Sequence, residues 1–165
     1  FGEKGYEKIT ITDIAKSIGV SQGLCYRYFP SKEVLFDSAI EQYADLLVSQ
    51  FAKMAENTHM PLKEFIETMP LNAEDQNTKY YAVFHGPQNK KFHNQLSLKT
   101  CEKLVPVIEK MLQKARENGE IQLEDLKTAA MFCIYGQLGI LLDDGMDQKE
   151  KADRIRKFLI YALHL

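Results

Sequence analysis

The sequence of 165 residues predicts an all-α fold, with a helix-turn-helix domain in residues 1–45 and a larger helical domain in residues 46–165. Apolar residues recur at helical spacing along most of the chain, and 45% of the residues are hydrophobic, which is enough to build a core. Residues that cap or end helices separate these segments. The longest apolar stretch, 129–142, has 14 residues, fewer than the ~20 needed to cross a bilayer, so it predicts a buried helix.

Residues 10–32 predict two short helices joined by a tight turn. Thr10 and Asp13 have the spacing of a capping box at the start of the first helix. Gly19 follows that helix at a position where a positive φ is often needed, and Ser21 can cap the second helix. The apolar face of the first helix is expected to consist of Ile11, Ile14, Ala15 and Ile18, with Val20 buried in the turn.

The second helix, expected over residues 22–29, is short and carries polar and aromatic side chains. A helix of this length is not stable alone and must be held by its neighbours. A helix, a turn containing glycine and a short polar-aromatic helix together form the layout of a DNA-reading helix-turn-helix.

The residues around this motif resemble the N-terminal domain of the TetR family of transcriptional regulators. The matching positions are Gly5-Tyr6-Glu7-Lys8, Thr10, Ile14-Ala15, Gly19-Val20-Ser21, Gly23, Tyr26, Tyr28-Phe29, Ser31-Lys32-Glu33 and Leu35. The resemblance covers roughly the first 45 residues. It implies a DNA-binding regulator, most often a repressor, that pairs as a homodimer, binds operator DNA and responds to a small-molecule effector. It also implies that most of the family's first helix precedes Phe1.

The side chains expected to contact double-stranded DNA belong to the helix-turn-helix. Gln22 can make a bidentate contact with adenine, the tyrosine hydroxyls and the lysines can bind phosphates, and Arg27 can reach guanine or the backbone. Leu24 stands where the family usually has a small residue, and it either contacts a thymine methyl or alters sequence preference. The full set is Thr12, Lys16, Ser21, Gln22, Gly23, Leu24, Tyr26, Arg27, Tyr28 and Lys32.

Other interpretations of these residues stay open. Tyr28 and Phe29 can serve in core packing, and Lys16 can lie on a solvated face. Cys25 replaces a larger aliphatic residue of the family, which predicts looser packing of the second helix. The net charge of the chain is −2. Residues 1–32 sum to +2, and residues 33–165, which we call the body, sum to −4, so a weakly basic N-terminal segment precedes an acidic body.

The body is predicted to contain several further helices. A long helix over residues 31–55 connects the two domains, and a short one lies between Pro61 and Pro70. Residues 71–88 contain another helix, and a long helix over 89–117 is expected to bend at Pro106 and to stop at Asn118-Gly119.

The last two helices, expected over residues 123–142 and 148–165, suggest a four-helix homodimer interface. The first is apolar almost all round and is expected to be buried on every side. Its Gly136 and Gly139 permit a close approach of another backbone. The second presents a stripe of Ala152, Ile155, Phe158, Leu159 and Ala162. The alternative is that both helices only complete the core of one chain.

An effector cavity is expected in the body, lined by aromatic residues with a few polar ends that suit an apolar or aromatic ligand. The residues are Tyr80, Tyr81, Phe84, His85, Phe92, Leu104, Ile108 and Tyr135. The alternative is that these aromatic residues are ordinary core.

The sequence contains no catalytic constellation, and we expect no enzyme, no metal site and no cofactor. The four histidines show no HExxH pattern, and a phosphate-binding glycine loop and a GxSxG motif are absent. The chain has three cysteines, and their spacing is not that of a metal site. Because their number is odd, they argue against a disulfide framework and predict a cytoplasmic protein. A helical ligand- or partner-binding protein whose N-terminal domain has lost DNA affinity is the second interpretation, and an enzyme on a helical fold is the third.

Overall fold

The computed structural model describes residues 5–70, 90–143 and 145–165, and every regular element within them is a helix. The helices are α1 (Gly5–Lys8), α2 (Ile11–Ser17), α3 (Gln22–Tyr28), α4 (Lys32–Asn57), α5 (Leu62–Thr68), α6 (Lys90–Glu117), α7 (Leu126–Leu141) and α8 (Gln148–Ala162). The all-α prediction is confirmed. The helix expected within 71–88 lies outside the described residues.

The chain forms two compact units. Unit 1 comprises the described parts of residues 1–46 and 74–99, and unit 2 comprises those of residues 47–73 and 100–165. The long helices α4 and α6 each contribute residues to both units. The domain division at residue 45 that the sequence suggests stays a prediction.

Local hydrogen bonds account for the helix-turn-helix. The Thr10 hydroxyl accepts from the Asp13 N–H at 3.1 Å, and the Asp13 carboxylate accepts from the Thr10 N–H at 3.0 Å, so the predicted capping box is present. Gly19 has φ +72°, a left-handed conformation that favours glycine, and the following Val20 N–H donates to the Ala15 carbonyl at 3.0 Å. These bonds set the turn between α2 and α3.

The small core of the motif is formed by Ile11, Ala15 and Cys25, with Val20 packed against it. Cys25 of α3 is buried and packs in this core with Ile11 and Ala15 of α2. The prediction for Ile18 was wrong: it is 64% exposed rather than part of the apolar face. Helix α2 ends at Ser17, and Ile18 is its C-cap residue, outside the regular helix that would have turned it inward.

Three aromatic rings pack together in unit 1. The ring centroids of Tyr6 and Phe36 are 5.1 Å apart, those of Tyr6 and Phe92 are 5.3 Å apart, and those of Phe36 and Phe92 are 4.1 Å apart. Such tilted and edge-on pairs add attraction beyond the area that they bury. The cluster connects α1, the start of α4 and the start of α6. Further along α4 and α6, Lys99 and Glu41 form an ion pair at 3.4 Å.

Unit 2 has the larger core, to which α5, α6, α7 and α8 all contribute. Leu112 and Ile155 are its most completely buried large side chains. Helix α6 continues through Pro106 and stops at Asn118-Gly119 as predicted, where Gly119 has φ +77° and the Glu120 N–H donates to the Ala115 carbonyl. The Oε2 atom of Glu120 accepts a hydrogen bond from the N–H of Leu62, the first residue of α5, at 2.5 Å.

Within a single chain, the last two helices are each covered on one side only. Helix α7 is not buried on every side, because only the face carrying Ala130 and Ile134 meets the core, and Phe132 is 76% exposed. On α8 the buried line runs through Ile155 and Leu159, and Phe158 lies on the adjacent face and is 63% exposed. Apolar residues at helical spacing predict both helices from the sequence, whereas the contacts within unit 2 cover only one side of each helix.

Candidate nucleic-acid interface

Helix α3 is held in place at both ends and from beneath. The Ser21 hydroxyl accepts from the Leu24 N–H at 3.2 Å, which caps the first turn. The Phe29 N–H donates to the Cys25 carbonyl at 2.8 Å and closes the last turn. Cys25 is buried in the core of the motif, whereas the other residues of α3 are exposed.

The remaining side of α3 forms a continuous exposed surface. Leu24 is 41% exposed and Tyr28 is 68% exposed. Tyr28 therefore lies mainly in solvent, whereas its neighbour Phe29 is partly buried. We call this surface the reading face; it consists of Gln22, Gly23, Leu24, Tyr26, Arg27 and Tyr28, which are all exposed.

Three further predicted contact residues lie on α2 and at the N-cap of α3. Lys16 is exposed in the last turn of α2, where its charge also complements the carbonyl end of the helix. Ser21 is exposed, with its hydroxyl oxygen already accepting the capping bond of α3. Thr12 is partly buried in the first turn of α2. The set carries hydroxyl donors and one cation, which are the groups that contact phosphates.

Lys32, predicted as a phosphate contact, is also bound within the domain. Its Nζ donates to the Tyr6 carbonyl oxygen at 3.0 Å and lies 4.4 Å from the centre of the Tyr6 ring. The Tyr6 hydroxyl in turn donates to Oε1 of Glu33 at 3.1 Å. The cation thus connects α1 to the first residues of α4.

The pKa values of the Tyr6 phenol and the Glu33 carboxyl group are both shifted from their ordinary values. The pKa of Tyr6 is raised because burial disfavours the phenolate, and then because its hydroxyl donates to Glu33. The pKa of Glu33 is lowered by a hydrogen bond from its own backbone N–H and then by the Ser31 hydroxyl. Glu33 lies in the first turn of α4, where the helix dipole also favours a negative charge.

Four of the predicted effector residues lie in the part of the chain that the structure describes. Phe92 belongs to the aromatic cluster of unit 1. Leu104 and Ile108 are partly buried against the core of unit 2, whereas Tyr135 is an exposed residue of α7. Tyr80, Tyr81, Phe84 and His85 lie outside the described residues.

Sequence reasoning missed three buried polar atoms in unit 2, which are Thr100 Oγ1, Gln137 Oε1 and Arg156 Nε. Thr100 Oγ1 on α6 and Gln137 Oε1 on α7 are buried, and no residue in the described part of the chain forms a hydrogen bond with either atom. Each lies within one turn of the place where the Cys101 thiol approaches the Ile134 carbonyl oxygen at 4.0 Å. The signal was available for Gln137, which interrupts the long apolar stretch. A polar group left unsatisfied in a core is costly, which marks such an atom as a candidate for a ligand contact.

A small pocket also occurs in unit 2, with a volume of ≈ 40 Å³. It is far smaller than the roughly 300–1,000 Å³ of a typical ligand site. Of the predicted effector residues that the structure describes, none lines this pocket. Its walls are Ala55, Thr58, Met60, Leu62, Phe65, Met111, Lys114, Ala115, Asn118 and Glu120. We assign it no ligand.

Within residues 5–70, 90–143 and 145–165, no group of three His, Cys, Asp or Glu side chains could hold a metal ion. Over the same part of the chain, no helix has the length and apolar character needed to cross a membrane.

Comparison with known proteins gives sequence matches to part of the chain and structural matches along nearly all of it. Residues 1–39 match the family described as "Bacterial regulatory proteins, tetR family". The nucleoid occlusion factor SlmA of Glaesserella parasuis is 38% identical over 69 residues, which are 41% of this chain and 34% of the relative. SlmA of Mannheimia succiniciproducens is 44% identical over 59 residues, 34% of this chain and 27% of the relative. The chain thus aligns with about a third of the length of these relatives.

Solved structures match along the whole chain. A transcriptional regulator from Cytophaga hutchinsonii has a TM-score of 0.61 at 16% identity, covering 99% of this chain and 88% of the other. Salmonella enterica GusR has a TM-score of 0.61 at 22% identity, covering 100% and 90%. These likenesses confirm an N-terminal helix-turn-helix followed by a helical domain. The matched family consists of regulatory proteins and not of enzymes.

Proposed function

We propose that this chain, whose first 39 residues match the TetR family of bacterial regulatory proteins, is a ligand-responsive transcriptional repressor. It binds an inverted-repeat operator as a homodimer in the cytoplasm and is released by a small, largely apolar effector. The observation that carries the proposal is the reading face, a capped and supported helix whose polar and aromatic side chains are all exposed.

The reading face has the chemistry that major-groove recognition requires. Gln22 at the start of α3 can pair with adenine through its amide, and Arg27 can donate to guanine or to phosphate. The tyrosine hydroxyls and Lys16 bind the backbone and set the register, which by itself carries no sequence information. Direct base contact is thus concentrated on one short helix.

The exposed side of the last two helices supports the homodimer. Phe132 is 76% exposed on α7 and Tyr161 is 77% exposed on α8, and Met131, Tyr135 and Phe158 are exposed on the same two helices. A Cβ added at Gly136 or Gly139 would meet nothing within 4 Å, so a second backbone could approach α7 closely at these positions. A second copy covers this surface in our proposal, and the two pairs of helices form a four-helix interface.

The effector is proposed to bind in unit 2 beside Thr100 Oγ1 and Gln137 Oε1, two buried atoms to which no described residue forms a hydrogen bond. A ligand with an apolar body and one or two hydrogen-bonding groups would satisfy these atoms and remain compatible with the surrounding apolar side chains. Leu104 and Ile108, partly buried on the same helix as Thr100, would contact its apolar part.

The proposed mechanism is a change of spacing. A dimer presents two α3 helices to successive major grooves, about one helical turn (~34 Å) apart. Helix α4, which contributes to both units, tilts when the effector binds, and the two reading faces no longer match the operator. The effector must bind the released state more tightly than the DNA-bound state, because equal affinity would shift nothing.

One observation favours the second candidate, a helical binding protein whose N-terminal domain does not bind DNA. The ammonium of Lys32 is engaged with Tyr6, so this cation also has a structural role. Such a protein would keep the fold and the dimer and would show no salt-dependent affinity for duplex DNA.

Selection from a random duplex pool, followed by affinity measurements against salt concentration, separates the two. Enrichment of an inverted repeat, with affinity that falls steeply as salt rises, supports the repressor. A folded dimer that enriches nothing, before and after refolding from denaturant to remove a carried-over effector, supports the second candidate.

A further inference from the structure

Leu24 is an apolar side chain on a surface that is otherwise built for polar contact. The helix positions of α3 are about 100° apart, so burial of Cys25 turns the preceding residue to the side of the helix. Leu24 is 41% exposed and takes no part in the core of the motif, which consists of Ile11, Ala15 and Cys25 with Val20.

The backbone around Leu24 is both fixed and open. The Leu24 N–H donates to the Ser21 hydroxyl at 3.2 Å and to the Ser21 carbonyl at 3.1 Å, so the first turn of α3 is well determined. The residue before it, Gly23, has no neighbour within 4 Å of the place where a Cβ would stand. A base edge could therefore come close to the bare backbone at Gly23 and touch the Leu24 side chain beside it.

The chemistry of leucine restricts what it can recognise there. It has neither a donor nor an acceptor, so it adds no hydrogen bond to any base. The major groove presents one apolar group, the C5 methyl of thymine. We propose that Leu24 packs on a thymine methyl in each half-site and thereby selects thymine at one operator position. This inference rests on the proposed DNA-binding function and specifies which base the operator must contain.

The test removes single methyl groups from the DNA. In the selected operator, each thymine is replaced in turn by deoxyuridine, which lacks only the C5 methyl and keeps the same hydrogen-bonding groups. We expect one position in each half-site at which the replacement weakens wild-type binding about fourfold, the effect of exposing roughly one methyl or methylene group. At the other thymines the affinity should not change.

Two variants assign the effect to the side chain. Leu24→Ala should bind the thymine and deoxyuridine operators equally at the identified position. Val34→Ala, which truncates another exposed aliphatic residue of unit 1 outside α3, should keep the fourfold difference. The wild-type measurement needs neither variant to fold.

The outcomes are distinct. Salt-dependent binding to a selected operator in which every thymine methyl is dispensable would overturn this inference and leave the repressor proposal standing. A methyl effect that persists in Leu24→Ala would likewise overturn it. Failure to enrich any duplex would overturn both proposals together.

Discussion

The ammonium nitrogen of Lys32 lies 3.0 Å from the carbonyl oxygen of Tyr6 and 4.4 Å from the centre of the Tyr6 ring. A cation that the sequence marks for a phosphate thus also binds α1 to the start of α4. The same Tyr6 ring packs against Phe36 and Phe92. The position of Lys32 is therefore determined by the aromatic cluster of unit 1, and substitutions there should affect stability and DNA affinity together.

Replacing Lys32 should have both effects. We expect Lys32→Ala to weaken binding to all duplex sequences alike and to reduce the slope of log affinity against log salt by about one, since one phosphate contact is lost. It should also lower the free energy of unfolding by about 1 kcal/mol through loss of the hydrogen bond and the cation–π contact. Salt titration and denaturant unfolding measure the two effects.

Lys16→Ala is the matched control, because Lys16 is an exposed cation of the same motif. It should reduce the salt slope with little change in stability. If Lys32→Ala lowers the stability but leaves the salt slope unaltered, then Lys32 has a structural role only.

Gln22 should determine base preference and not merely affinity. We expect Gln22→Ala to lose about 1–3 kcal/mol of discrimination at one base pair of the operator, because a bidentate amide contact is removed. Affinities for operators substituted at each position give the measurement. An equal loss on every operator would instead assign Gln22 to the phosphate backbone.

The exposed surface of α7 and α8 should hold the dimer together. We expect Phe132→Glu to raise the dimer dissociation constant at least 30-fold, since central aromatic contacts are commonly worth about 2 kcal/mol or more. Sedimentation over a concentration series measures this. Leu98→Glu, at an exposed apolar residue of α6 outside the last two helices, should leave the dimer intact. Dissociation by both variants, or by neither, would contradict the assignment of the interface.

The unpartnered oxygen of Thr100 should destabilise the protein in the absence of ligand. We expect Thr100→Val to raise the free energy of unfolding by about 1 kcal/mol, because an unsatisfied buried hydroxyl is replaced by a methyl of similar size. The Thr68 hydroxyl, in contrast, donates to the Glu64 carbonyl at 2.8 Å, so Thr68→Val should bring no gain. A loss of stability in Thr100→Val would show that this hydroxyl has a partner in solution.

The pair formed by Tyr6 and Glu33 should make unit 1 sensitive to pH at both extremes. The pKa of Glu33 is lowered in the folded protein, so its contribution to stability is present above the ordinary value of 4.5 and is lost as the pH falls through the folded value. The pKa of Tyr6 is raised, so its contribution is present below the ordinary value of 10.0 and is lost as the pH rises through the folded value.

Ultraviolet titration of the phenolate follows Tyr6, with Tyr6→Phe identifying its signal. We expect Glu33→Gln to lower the pKa of Tyr6 part of the way to 10.0 and no further, because burial is the larger cause of the shift. An unchanged titration in Glu33→Gln would mean that the carboxylate does not influence the phenol in solution.

The helix-turn-helix could be predicted from the sequence because its determinants are local. The capping box of Thr10 and Asp13, the positive φ of Gly19 and the Ser21 cap all join residues within a few positions of one another. The start of α3 at Gln22 and the end of α6 before Gly119 follow from the same kind of signal. Residue types at these positions specify the backbone directly, without reference to distant parts of the chain.

Only the tertiary structure decided which face of each helix is covered. Phe158 and Leu159 are adjacent and both apolar, yet Leu159 is buried and Phe158 is exposed because unit 2 packs against one side of α8. The ring of Phe92 packs with that of Tyr6, which lies 86 positions earlier in the chain. Periodicity shows that a helix has an apolar face, whereas the neighbour that buries it is brought there by long-range contacts that no local pattern contains.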